Sequence, residues 1–159
     1  MMTSNDKEEE LLTLPYTLDV TVKQAAGQFI GRFLRELRDN ARIVGNTCPQ
    51  CGQVNVPPRI VCGMCSVRNG DFIELSDTGT VMQYSSIPMK FMDPSTGEMT
   101  AFEKPVGNIL LDGGGRLDGF LEETDLEKLR IGLKVKAIFK PKEDRLGKLT
   151  DIAFFRTIE

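Results

Sequence analysis

The sequence predicts a mainly β chain with one amphipathic helix near its N-terminus, and three observations predict it. The cysteines fall in two pairs, Cys48-Pro-Gln-Cys51 and Cys62-Gly-Met-Cys65. An apolar stripe of helical period precedes them, and short β-type runs separated by turn residues come after them. With 159 residues there is room for one ordinary domain or two small ones, and 40% hydrophobic residues with a net charge of −3 describe a globular chain, not a disordered one.

The first ten residues, Met-Met-Thr-Ser-Asn-Asp-Lys-Glu-Glu-Glu, are acidic where a signal or transit peptide is basic. Residues 1–20 are therefore expected to be an acidic, flexible N-terminus, and no apolar run reaches the ~18 residues of a membrane span. A cytoplasmic location without membrane contact is the expectation, and in that reducing setting paired cysteines favour a metal over a disulfide.

Residues 21–44 read as the amphipathic helix. Val22, Ala26, Phe29, Ile30, Phe33 and Leu37 recur at three- and four-residue steps, with Thr21 and Gln24 as a capping box and Gly45-Asn46 as the stop. Residues 45–75 read as a zinc ribbon. The spacing C-x2-C-x10-C-x2-C offers four soft thiolates, Cys48, Cys51, Cys62 and Cys65, for one tetrahedral site holding a single structural Zn2+. Short arms at 53–56 and 59–61 are joined through Pro57-Pro58, Gly52 supplies the permissive backbone of a tight knuckle, and 71–75 adds a strand. So small a unit buries little apolar area, so the metal is expected to supply most of its folding free energy.

Residues 76–159 read as β. A strand at 79–87 leads into a long loop, 88–105. Strands at 106–111 and 116–121 flank the hairpin turn Asp112-Gly-Gly-Gly115. Thr124-Asp-Leu-Glu127 is a second capping box opening a short helix to about Arg130, and strands at 133–140 and 148–156 surround a turn at 143–147. Three strands, a helix and two strands is the order of an OB-fold, so the prediction here is a five-stranded OB-fold barrel.

On Cys48-Pro-x-Cys51-Gly52, Pro57-Pro58-Arg59, Cys62-x-x-Cys65, Gly79-Thr80-Val81 and Ile131-Gly132-x-x-Val135, over roughly residues 20–157, the chain resembles the domain-of-unknown-function-35 (DUF35) family. That family joins a rubredoxin-like zinc ribbon to an acyl-CoA-associated OB-fold. The resemblance implies a non-catalytic partner of a thiolase-type enzyme, supporting the complex or shaping its CoA or acyl channel, with CoA or acyl-CoA shared with the partner. Several members look like small subunits of specialised thiolases, among them the benzoylsuccinyl-CoA thiolase of anaerobic toluene degradation, and this chain is expected to be of that sort. The acidic N-terminal extension and the 88–105 loop depart from the family pattern.

The residues exclude much catalysis. There is no histidine, the usual general base, and every cysteine is taken up by the ribbon, so no catalytic residue is assigned and the chain is not expected to be an enzyme on its own. Gly113 to Gly115 lack the adjoining helix and Gly-Lys-Ser/Thr of a phosphate loop, and Glu122 and Glu123 read as helix-entry charges. Phe29, Ile30, Phe33 and Leu37 on the helix, with Met89, Phe91, Met92, Met99 and Phe102 in the long loop, are candidate partner contacts; the competing reading is that they pack within the chain. Arg32, Arg35, Arg38 and Arg42 are candidates for CoA phosphates, against a solvated face with Glu36 and Asp39 as mates.

Single-stranded nucleic-acid binding is the alternative function, carried by a basic end of Lys134, Lys136, Lys140, Lys142, Arg145 and Lys148. Net acidity, the absence of tryptophan and only Tyr16 and Tyr84 as tyrosines argue against it. A rubredoxin-like electron carrier ranks last, since a closed thiolate site most often holds zinc.

Overall fold

The computed structural model describes residues 24–86, 89–92, 97–102 and 104–158. Helix α1 spans Gly27–Asn40, shorter than the predicted 21–44. Residues 24–26 are not helical, and Thr21 and Val22 lie outside the described residues. At the other end Ala41 is left-handed (φ 50°) and the Arg42 N–H bonds back to the Glu36 carbonyl at 3.2 Å, which closes the helix before Ile43.

Residues 43 and 44 are not the tail of the helix but open strand β1, Ile43–Thr47, at the centre of a three-stranded sheet in the order β2-β1-β3, with β2 at Val54–Asn55 and β3 at Phe72–Leu75. Ile43 to Asn46 are all buried, so the strand has no in-out alternation to betray it. Buried Asn46 and Asn69 hold the Pro57-Pro58-Arg59 segment: Asn46 Oδ1 accepts from the Arg59 N–H (3.2 Å), while Asn46 and Asn69 both donate Nδ2 to the Arg59 carbonyl (2.7 and 2.9 Å).

The second sheet runs β10-β9-β4-β7-β8. Its strands are β4 (Thr78–Ser85), β7 (Val106–Leu111), β8 (Arg116–Phe120), β9 (Lys134–Phe139) and β10 (Ile152–Thr157). All pairings are antiparallel, and a parallel bridge from Leu121 to Phe155 brings the two edges together. That closure gives the topology of a five-stranded OB barrel. Between β4 and β7 the predicted long loop is instead a separate hairpin, with β5 (Met89–Met92) facing β6 (Met99–Phe102).

Two further expectations are corrected. The helix over 124–130 is a single turn: the Asp125 carbonyl accepts from the N–H groups of Lys128 (3.1 Å) and Leu129 (3.2 Å), and its carboxylate caps Glu127 (3.0 Å). A run this short before Gly132 cannot offset the cost of helix nucleation. The last strand begins at Ile152, not 148, because residues 142–144 and 149–151 form 3-10 turns. Buried Asp151 takes the N–H groups of Leu146, Gly147 and Lys148 at 3.0, 2.7 and 3.2 Å, winding the chain around its carboxylate.

Helix, ribbon and barrel share one core. Phe33 and Leu37 of α1 and Ile43, Val44 and Leu75 of the ribbon join Val81, Ile109, Leu117, Val135 and Phe155 of the barrel in a single buried cluster. The joint is tight at the β7–β8 turn. Gly115 has φ +78°, and a Cβ there would stand 2.7 Å from Val56 Cγ2. Gly115→Ala is expected to cost about 2–4 kcal/mol, left-handed strain plus overlap, read as a lower urea midpoint. An unchanged midpoint would refute the glycine turn as the ribbon's seat. Among the described residues, no helix is long and apolar enough to cross a membrane.

Candidate metal centre

Two knuckles of the same design hold the cysteines. In the first, the Cys48 N–H bonds to the Gln53 carbonyl and the Gly52 N–H to the Cys48 carbonyl, both at 2.9 Å. In the second, the Cys62 N–H bonds to the Val67 carbonyl at 2.9 Å and the Ser66 N–H to the Cys62 carbonyl at 3.0 Å. Each turn needs a left-handed residue four places after its first cysteine. Gly52 (φ 73°) fills that place without strain, and Ser66 (φ 55°) fills it at a cost of about 1–2 kcal/mol.

The four Sγ atoms lie within 4.8 Å of one another, and Cys51 Sγ is 3.9 Å from Cys62 Sγ. Zinc–sulfur bonds of about 2.3 Å set a tetrahedral edge of about 3.8 Å, so the spacing suits zinc. Cys48 and Cys62 are buried, Cys65 is half-buried and Cys51 is exposed. The Cys48 thiol is lowered to about 7, first by the Cys51 backbone N–H and then, against the opposing effect of burial, by that of Gln50. The Cys65 thiol is raised to about 12, first by the Cys51 sulfur, then by burial and the Cys48 sulfur. Four crowded sulfurs resist becoming thiolates together, and a divalent cation removes that conflict. With four protein donors such a site is closed, which suits a structural ion and leaves no position for substrate.

The other predicted site residues separate. Phe33 and Leu37 are 0% exposed, so they are core and not partner contacts; the helix face they define is covered by the chain's own sheets. Phe29 stacks on Phe72 with ring centroids 5.4 Å apart, docking α1 on the ribbon, and Ile30 is 38% exposed. Three of the four candidate arginines, of which Arg42 lies just past the end of α1, are engaged within the chain. Arg32 lies 4.3 Å over the Phe72 ring, Arg38 pairs with Asp39 at 2.8 Å, and Arg42 reaches Glu36 (2.9 Å) and Glu74 (3.1 Å). Arg35 is exposed and has no ion pair among the described residues. In the β5–β6 hairpin Met92 and Met99 sit opposite each other, 62% and 67% exposed. The side chains of Met89, Phe91 and Phe102 lie outside the described set. The Asn46–Asn69 clamp on Arg59 was missed, since an asparagine in a turn-rich stretch carries no sign of burial.

A cysteine ribbon seated on an OB barrel through a shared core defines a small two-part class of zinc-ribbon protein. A family model described as "ChsH2, rubredoxin-like zinc ribbon domain" matches residues 35–69. A DUF35 domain-containing scaffold protein of Methanocaldococcus jannaschii is 30% identical over 124 residues, 74% of this chain and 82% of that protein. One of Methanothermobacter thermautotrophicus is 30% identical over 112 residues, covering 69% and 80%. The chain belongs to the DUF35 family. Its fold is also similar to a solved structure named Ltp2-ChsH2(DUF35) aldolase, with TM-score 0.57 and 22% identity over 84% of this chain and 98% of that one.

Proposed function

We propose that the chain is a non-catalytic scaffold subunit of an acyl-CoA-processing enzyme of thiolase type, with one structural zinc on Cys48, Cys51, Cys62 and Cys65. The observation that carries the reading is the β5–β6 hairpin. It pairs with neither of the other two sheets among the described residues and exposes Met92 and Met99. A lone two-stranded hairpin is marginal in water, and flexible, polarisable methionines suit an apolar contact with another protein. The hairpin connects the first two barrel strands, a ligand-facing side of OB-folds. The curated relatives' designation as scaffolds, and a neighbour whose name joins a DUF35 chain to an aldolase, support a supporting role beside an enzyme. A thiolase partner, with benzoylsuccinyl-CoA as the processed ester and CoA shared at the interface, is the finer form of the proposal. When bound, zinc would lock the knuckles and supply no chemistry.

The nucleic-acid alternative has no observation of its own. Lys134 and Lys136 of the basic end pair with Asp112 (3.1 Å) and Asp77 (3.4 Å). The test is a pull-down of the thiolase-type enzyme by the full chain. Met92→Glu with Met99→Glu is expected to weaken association by at least about 2 kcal/mol while zinc content and melting temperature hold. Equal association by wild type and the double variant would reject the hairpin as the contact.

A further inference from the structure

The ribbon and the barrel meet along a cleft of 390 Å³ whose lining includes Gln53, Asn55, Arg59, Gly115 and Arg116 and no acidic side chain. Its two arginines stand apart from most others in the chain. Arg38, Arg42 and Arg156 are paired with carboxylates, Arg32 covers Phe72, and Arg145 donates to the Leu37 carbonyl. The guanidinium groups of Arg59 and Arg116 have no ion pair or hydrogen bond among the described residues, and both residues are exposed. In a chain of net charge −3 this is a local reversal of sign.

Exposed arginines are often only solvated. What sets these two apart is how firmly their backbones are held. Arg59 is fixed by its three hydrogen bonds to buried Asn46 and Asn69. Arg116 opens β8 opposite Leu110 of β7. It sits directly after Gly115, whose missing Cβ lets the turn close onto Val56 of the ribbon. Two independent devices, one in each half of the fold, thus bring two cations to one concave surface with no counter-charge on its walls. Guanidinium forks match phosphate oxygens in pairs, so such a surface suits an anion.

We infer that this cleft binds a phosphorylated small molecule, with Arg59 and Arg116 as phosphate donors and the exposed carboxamide of Gln53 as a further polar contact. The inference rests on the proposed function only for the ligand's identity: the phosphate-bearing end of coenzyme A is what a subunit of an acyl-CoA enzyme would meet. The role sought among the helix arginines thus falls to two residues that meet only in three dimensions.

The experiment titrates the full zinc-loaded chain with adenosine 3′,5′-bisphosphate, the phosphorylated half of coenzyme A, and with pantetheine, the half without phosphate. Arg59→Gln and Arg116→Gln are each expected to weaken bisphosphate binding by about tenfold or more. Arg68→Gln with Arg130→Gln, which removes exposed arginines outside the cleft that are not among the phosphate candidates, should change it by less than about twofold. Zinc content and melting temperature confirm folding; if Arg59→Gln disturbs them, Arg116→Gln alone carries the comparison. No bisphosphate binding by the wild type, or equal losses in cleft and control variants, overturns the inference, as does pantetheine bound as well as the bisphosphate. Thiolase association is measured alongside. Cleft-dependent binding without association would remove the proposed function and keep the cleft, and association without cleft-dependent binding would do the reverse.

Discussion

Phe33→Ala is expected to lower the stability of the free chain by about 3–5 kcal/mol, the cost of deleting a fully buried phenylalanine and leaving a cavity. Phe33 is 0% exposed and sits in the one cluster that joins helix, ribbon and barrel. Helix α1 packs it toward β1 and the 149–151 turn. No single layer can close over the gap, because the three layers are pinned elsewhere by the Phe29–Phe72 stack and the Arg145 bond to the Leu37 carbonyl. Total stabilities of about 5–15 kcal/mol make this a large share. Phe33→Leu, which keeps most of the volume, should cost under about 1.5 kcal/mol. Urea unfolding of both variants is the measurement. A loss under about 1 kcal/mol for Phe33→Ala would show that the residue is not core, and would return α1 to the status of a docking face.

The same residue marks where reading the sequence stops. The period of Phe29, Ile30, Phe33 and Leu37 showed that one helix face is covered, but periodicity is blind to what covers it. A partner and the chain's own sheet leave the same pattern. Strand β1 was hidden for a related reason: buried between other elements, Ile43 to Asn46 lack alternation, and Gly45-Asn46 looks like a stop. The β5–β6 hairpin carries little strand signal because the alternation of Met89-Lys-Phe91 is only three residues long and breaks at Met92, although Asp93-Pro-Ser-Thr-Gly97 carries turn chemistry. The short helix failed because a capping pattern names a start and says nothing of length, and Asp125, not Thr124, became the local cap.

What was legible shares a different property. The cysteine spacing and the strand order are set by local chemistry: a knuckle needs its two sulfurs three residues apart and a permissive backbone, and a barrel strand announces itself between turns. The order β4, β7, β8, β9, β10 therefore emerged with the barrel topology even though the helix expected between β8 and β9 is only a turn. The Arg59–Arg116 cleft was beyond reach, since its residues lie far apart in sequence and are joined only by the seating of ribbon on barrel.

Cys51→Ser is expected to abolish stoichiometric zinc retention and to lower the melting of the whole chain in one transition. Cys51 is the exposed member of the quartet, so the substitution removes almost no packing and its effect isolates ligation. Cys62→Ser, at a buried position, would confound the two. Structural zinc sites of this kind carry about 10–16 kcal/mol of apparent binding free energy, and losing one thiolate of four forfeits a large part of it. The shared core decides how the damage spreads. Ile43, Val44 and Leu75 of the ribbon pack with the barrel residues, so an unfolded ribbon strips cover from the barrel and the two parts melt together. Metal analysis and calorimetry of wild type, chelator-treated wild type and Cys51→Ser test both steps. One retained zinc with an unchanged melting temperature would refute ligation by Cys51. Two separated transitions, with the barrel surviving the ribbon, would refute the common core and leave the OB barrel as an independent folding unit.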